Sequence, residues 1–92
     1  MTATSSNRDV TLRYFAWLRE KTGISEERVA LPTEIATVGD VLRWQASRKH
    51  PFDLAFANSE AIRVALDHTH AKPTALVGGA REIAFFPPVT GG

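Results

Sequence analysis

Ninety-two residues, 43% of them hydrophobic, make one globular domain with a modest core and exclude a chain that is disordered throughout. Eleven basic residues against ten acidic ones leave a net charge of +1, which calls for no nucleic-acid partner, and no apolar run approaches the roughly 18 residues of a membrane span. The absence of cysteine excludes thiol nucleophiles, disulfides and cysteine-ligated zinc or iron–sulfur centres.

Residues 1–8 are polar, lack the apolar core of a secretory signal and are expected to be frayed. With the lack of disulfide chemistry, this fits a cytoplasmic location. The domain proper is read as residues 9–86. Residues 9–15 alternate branched and aromatic side chains and are predicted to form a first strand. Residues 16–22 suit a helix that Gly23 stops. Residues 27–31 form a second strand closed by Pro32, and a short connection makes the pair antiparallel. Thr37-x-x-Asp40 has the form of a capping box, with Val38, Val41, Leu42 and Ala46 at helical spacing behind it and Pro51 as the stop. Trp44 lies off this stripe, covering a core edge. Residues 52–58 are a loop or short turn anchored by Phe52, Leu54 and Phe56. Residues 60–66 read as a third strand with Ile62, Val64 and Leu66 inward. Residues 67–79 are irregular, with a short strand around His70, and Gly78-Gly79 reads as a turn that needs positive φ. Residues 83–86 are the last strand. The fold class is α+β: a mixed sheet of four to five strands on one main helix, the β-grasp order, with one sheet face left open.

The last strand feeds into Pro87-Pro88-Val89-Thr90-Gly91-Gly92. Two prolines favour an extended projection, and six extended residues reach roughly 20 Å. Two glycines pass where no side chain fits. Residues 87–92 therefore read as a tail delivered into another protein's active site, its reactive group the Gly92 carboxylate. Strand alternation puts Phe85 with Ile83 on one face and Phe86 with Ala84 on the other, so one phenylalanine faces away from the helix. Two imidazoles in His68-x-His70, on one face of an extended segment, are too few ligands for a metal, and none is expected. No spacing marks a catalytic triad or carboxylate pair, and Gly78-Gly79 is followed by no phosphate-loop residues.

Ala84-Phe85-Phe86-Pro87-Pro88-Val89-Thr90-Gly91-Gly92 resembles the C-terminal signature of the small subunit of molybdopterin synthase, a ubiquitin-like sulfur carrier. Val10-Thr11-Leu12-Arg13-Tyr14-Phe15-Ala16, with Leu18-Arg19-Glu20, is similar to that family's first strand and following helix. The resemblance covers about residues 9–92. It departs at Gly79-Ala80-Arg81-Glu82, where the family has a Gly-Asp-Glu type turn, and at Asp67-His68-Thr69-His70. It implies that Gly92 is adenylated and converted to a thiocarboxylate, and that Gly91, Thr90, Val89, Pro88 and Pro87 thread into the partner. Phe15 and Phe86 would dock that partner. The partners implied are the large synthase subunit, in a heterotetramer of two small and two large chains, and an adenylyltransferase of the ubiquitin-activating type. ATP would be used by that enzyme, and no cofactor would be bound by this chain. The sulfur would pass to cyclic pyranopterin monophosphate in molybdenum cofactor biosynthesis. Carriers for thiamine, tRNA thiolation or cysteine synthesis, and protein modifiers that form isopeptides, share the tail chemistry.

Overall fold

The computed structural model describes residues 7–88. Five strands form one mixed sheet: β1 (Asn7–Tyr14), β2 (Glu26–Pro32), β3 (Arg63–Leu66), β4 (Thr69–Ala71) and β5 (Glu82–Phe86). Three helices accompany them: α1 (Trp17–Thr22), α2 (Val38–Ala46) and the single turn α3 (Phe52–Ala55). The sheet order is β2-β1-β5-β3-β4. The β1–β2, β3–β4 and β3–β5 pairs are antiparallel, and β5 runs parallel to β1. The last strand is therefore the central one, and this is a β-grasp, ubiquitin-like fold.

Alternation explains the layers. Val10, Leu12 and Tyr14 of β1, Val64 of β3, and Ile83 and Phe85 of β5 face the helices, each at most 3% exposed. Phe56 meets the Phe85 ring edge-on at 5.1 Å, and Tyr14 stacks on Phe85 at 5.6 Å. Helix α2 is set by the expected capping box: the Asp40 amide donates to Thr37 Oγ1 (3.1 Å) and the Thr37 amide to Asp40 Oδ2 (3.1 Å). The Ala36 amide also donates to Asp40 Oδ2, and these amides hold the Asp40 carboxyl below the usual carboxylate range.

The structure departs from the local reading in several places. Strand β1 begins at Asn7, opposite Pro32, two residues before its expected start. Helix α2 ends at Ala46, capped at Ser47, and not at Pro51. Its buried stripe is Val38, Val41, Leu42 and Gln45, so a glutamine and not Ala46 takes the inward position of the last turn. Residues 59–61 form a 3₁₀ turn, which shortens β3. Neither Gly78 nor Gly79 lies in the left-handed region; their turn closes with the Ala80 amide on Val77 O (2.9 Å).

Positive φ falls instead on Gly23, where it caps α1, and on Ala16, Asp67 and His68. Asp67 and His68 make the two-residue hairpin turn between β3 and β4, whose twist requires left-handed backbone at both positions. The Asp67 carboxylate rewards that conformation by accepting the Arg81 amide (2.9 Å) and the Glu82 amide (3.0 Å). Ala16, at φ 55° and ψ −133°, has no such compensation: it occupies a region that suits glycine. Ala16→Gly is expected to stabilise the domain by about 1 kcal/mol, read as a raised urea midpoint with unchanged slope. An unchanged or lowered midpoint would show that this turn is unstrained.

Candidate docking face and tail exit

The sheet face away from the helices is built from β1, β5, β3 and β4. At its centre Ala65 and Ala84 are directly opposed, 7% and 8% exposed. Being small, they let larger side chains close over them. Phe86 follows on β5, half-buried, with the His70 ring edge-on at 5.2 Å. Phe86 pairs across the strand with Arg63, and Ala84 with Arg13.

Phe15 stands at the same end. Its amide donates to Phe85 O (3.1 Å), extending the β1–β5 register one step past Tyr14↔Phe85. That step sets Phe15 beside Phe86, and Phe15 is 41% exposed. The Arg13 guanidinium lies 5.4 Å from the Phe15 ring. Arg13 Nε is buried with no hydrogen-bond partner among the described residues; the carboxylate oxygens of Glu26 and Glu82 lie at 3.8 and 3.9 Å from the guanidinium. An unsatisfied guanidinium nitrogen beside an exposed aromatic is a recognition feature, since both gain from a partner that removes water.

The last described residues lie within this arrangement. Pro87 has no amide hydrogen, so the ladder ends at Phe86, and Pro87 and Pro88 continue half-buried. Val89, Thr90, Gly91 and Gly92 lie outside the described residues. Phe15, Phe86, Pro87 and Pro88 are thus gathered at one end of the sheet. Sequence reasoning placed Ala84 on the face of Phe86 and missed Arg13 and Ala65 as members of it. Period-two alternation from Phe15 and Phe86 reaches Arg13 and Ala84, but Ala65 and His70 join only through cross-strand register. His68 does not share a face with His70: it sits in the turn, its Nδ1 3.8 Å from Glu82 Oε2. Among the described residues no cluster of three or more potential metal ligands exists. No helix of these residues is long and apolar enough to cross a membrane.

On the helix side a polar network closes the core. Tyr14 Oη donates to Glu27 Oε2 (2.6 Å) and accepts from Gln45 Nε2 (2.9 Å). Arg48 bridges Glu27 Oε2 and Gln45 Oε1, both at 2.8 Å, and stacks 3.9 Å over the Phe52 ring. Burial opposes ionisation of Glu27. The hydrogen bonds from Arg48 and Tyr14 and the Arg48 charge outweigh it and hold this carboxyl below its usual range. These residues brace β1, β2 and α2 and take no part in the face.

A β-grasp sheet with an open aromatic face, followed in the sequence by Pro-Pro-Val-Thr-Gly-Gly, fits a small ubiquitin-like protein of the sulfur-carrier or modifier class. The chain belongs to the ThiS family, whose model matches residues 12–92. Among solved structures it is similar to SAMP1 of Haloferax volcanii, at 26% identity and a TM-score of 0.66, over 92% of this chain and 100% of that one. A Pyrococcus furiosus protein assigned as molybdopterin converting factor, subunit 1, matches at 20% identity and TM-score 0.63, over 88% and 98% of the two chains. The solution structure of Haloferax volcanii HVO 2177 aligns at 23% identity and TM-score 0.75, over 100% and 93%. The last two likenesses concern the fold.

Proposed function

We propose that this protein is the sulfur-carrying small subunit of a molybdopterin synthase. The observation that supports the reading best is Phe86: it ends the central strand on the open face, where Pro87 stops the ladder and the nine-residue signature continues to Gly92. A partner seated on that face receives the tail at a defined angle. A free α-carboxylate is ionised at neutral pH and is a poor electrophile. In the activating enzyme a Gly92 carboxylate oxygen attacks the α-phosphorus of ATP and pyrophosphate leaves. A sulfide-level donor then attacks the acyl carbon and AMP leaves, giving the thiocarboxylate. The large subunit binds the open face and positions the tail against cyclic pyranopterin monophosphate. Hydrolysis after transfer returns the carboxylate, and successive transfers complete the dithiolene. This chain contributes positioning and the acyl carbon; the large subunit contributes acid–base groups.

The test is mass spectrometry of the protein after incubation with activating enzyme, ATP and sulfur donor. The expected gain is about 16 Da, one sulfur for one oxygen at the activated carboxylate. An unmodified mass would overturn the reading. The 26% identity to SAMP1, a small archaeal modifier protein, favours a second reading: a lysine amine attacks the same acyl adenylate and forms an isopeptide. Recovery of Gly92 conjugated to other proteins from cells would establish that outcome.

Phe86→Ala separates docking from folding. Truncating a central interface aromatic costs about 2 kcal/mol or more of binding. With Phe86 on the open face, affinity for the large subunit is expected to fall at least that far, while the thermal midpoint changes little. A collapsed midpoint with unchanged affinity would make Phe86 a core residue.

A further inference from the structure

A groove of about 660 Å³ runs between α2 and the β3–β4 edge, on the helix side of the sheet. We infer that it binds an extended acidic segment of a partner protein, which adds as a strand along the outer edge of β4. Three independent features converge on that occupant. The floor is apolar: Val38 and Leu42 come from α2, Ile62 and Val64 from β3 and the residue before it, and Ala71 from β4. The volume suits several aliphatic side chains. Second, β4 is last in the sheet order, with no strand beyond it among the described residues. The two-residue turn makes Leu66–Thr69 and Val64–Ala71 the hydrogen-bonded pairs, so His70, opposite Ala65, points its N–H and C=O away from β3. That edge can pair with an incoming backbone. Third, the rim is cationic. Arg43, Arg63 and Lys72 line it; Glu60 is the one acidic residue in the lining, and Asp40 pairs with Arg43, so cations still exceed carboxylates although the whole chain carries a net charge of only +1. Arg43 is steadied by Asp40, and Arg63 donates to Glu60 O (3.1 Å).

An alternating apolar and acidic strand satisfies all three features: apolar side chains enter the groove, backbone groups pair with His70, and carboxylates meet the rim. A basic strand would be repelled, and a small neutral ligand would leave the edge unpaired. The apolar floor of the groove lies on the opposite side of the sheet from the Ala65–Ala84 centre, while Arg63 and His70 border both surfaces.

The test uses the isotope-labelled full chain titrated with a blocked synthetic peptide of four Val-Asp repeats, with four Val-Lys repeats as control. The expected result is saturable amide shifts centred on His70, Ala71, Val38 and Leu42 for the acidic peptide alone. Reversing the rim with Arg43→Glu and Lys72→Glu should weaken binding about tenfold or more, since like charges then face one another. Ala71→Phe, which fills the groove, should abolish it, with circular dichroism confirming that each variant is folded. Deleting Gly92 should leave this binding unchanged, which separates the groove from the tail. Shifts confined to the β2 edge or the Ala65–Ala84 face, equal binding of the basic peptide, or an unaffected charge-reversed variant would each overturn the inference.

Discussion

Deletion of Gly92 is expected to abolish sulfur transfer completely and to leave the fold intact. The core is closed by residues up to Phe85, and none of the buried apolar side chains described comes from beyond it. Stability should move by less than about 0.5 kcal/mol, as for changes away from packed features. The chemistry has no substitute: the chain has no cysteine, and removing Gly92 shifts the carboxylate back by one residue, at most roughly 3.5 Å of chain. A displacement of that size defeats in-line attack even when docking is normal. The assay is molybdopterin formation with purified large subunit, run beside a denaturant titration and a binding measurement. Retained activity in the truncated protein would refute the carrier role. Gly91→Val makes a companion case, because it keeps the terminal carboxylate and changes only the width and backbone freedom of the tail. Turnover should collapse with affinity retained.

Tyr14→Ala should be the most destabilising single change in the body of the domain. Tyr14 is 1% exposed and its ring contacts Phe52, Phe56 and Phe85. Removing it creates a cavity that costs about 3–5 kcal/mol, a large part of the roughly 5–15 kcal/mol that stabilises a native protein. Tyr14→Phe keeps the ring and isolates the hydroxyl. Gln45 Nε2 then loses its acceptor and Glu27 loses one donor, for an expected cost of about 1–3 kcal/mol. Equal stability of the phenylalanine variant and the parent would mean that the hydroxyl braces nothing.

The same network sets the pH dependence. Burial, with the Glu27 hydrogen bond, raises the Tyr14 phenol well above its ordinary value of 10.0. A raised folded-state pKa adds stability that is complete below the unfolded value and declines as pH rises above it. Tyr14 is the single tyrosine of the chain, so tyrosinate absorbance reports it alone. The absorbance should stay low past pH 10 and rise only as the domain unfolds. Glu27 works in the opposite direction. Its lowered pKa adds stability that is complete above the ordinary value of 4.5 and is lost as pH falls through the folded value.

Features carried by local pattern were legible in the sequence alone. The capping box at Thr37 and Asp40, the glycine stop at Gly23 and the opposite facing of Phe85 and Phe86 each depend on residues a few positions apart. The periods of helix and strand record such relationships directly. The tail composition and its family signature were legible for the same reason. The parallel β1–β5 pairing, the Ala65–Ala84 centre of the open face, the edge exposed along β4 and the placement of Gln45 and Arg48 were not. Gln45 meets Tyr14 across 31 positions and Arg48 meets Glu27 across 21. A glutamine in an apolar stripe is indistinguishable by period from a solvated one until its partner is in place. The positive-φ positions followed the same rule. Gly78 and Gly79 could have adopted left-handed backbone freely, but the hairpin register put it on Asp67 and His68, where the Asp67 carboxylate could take two amides from the chain 14 and 15 positions later. Local preference proposes which conformations are inexpensive; long-range pairing selects among them, because only the assembled sheet decides which donors and acceptors meet.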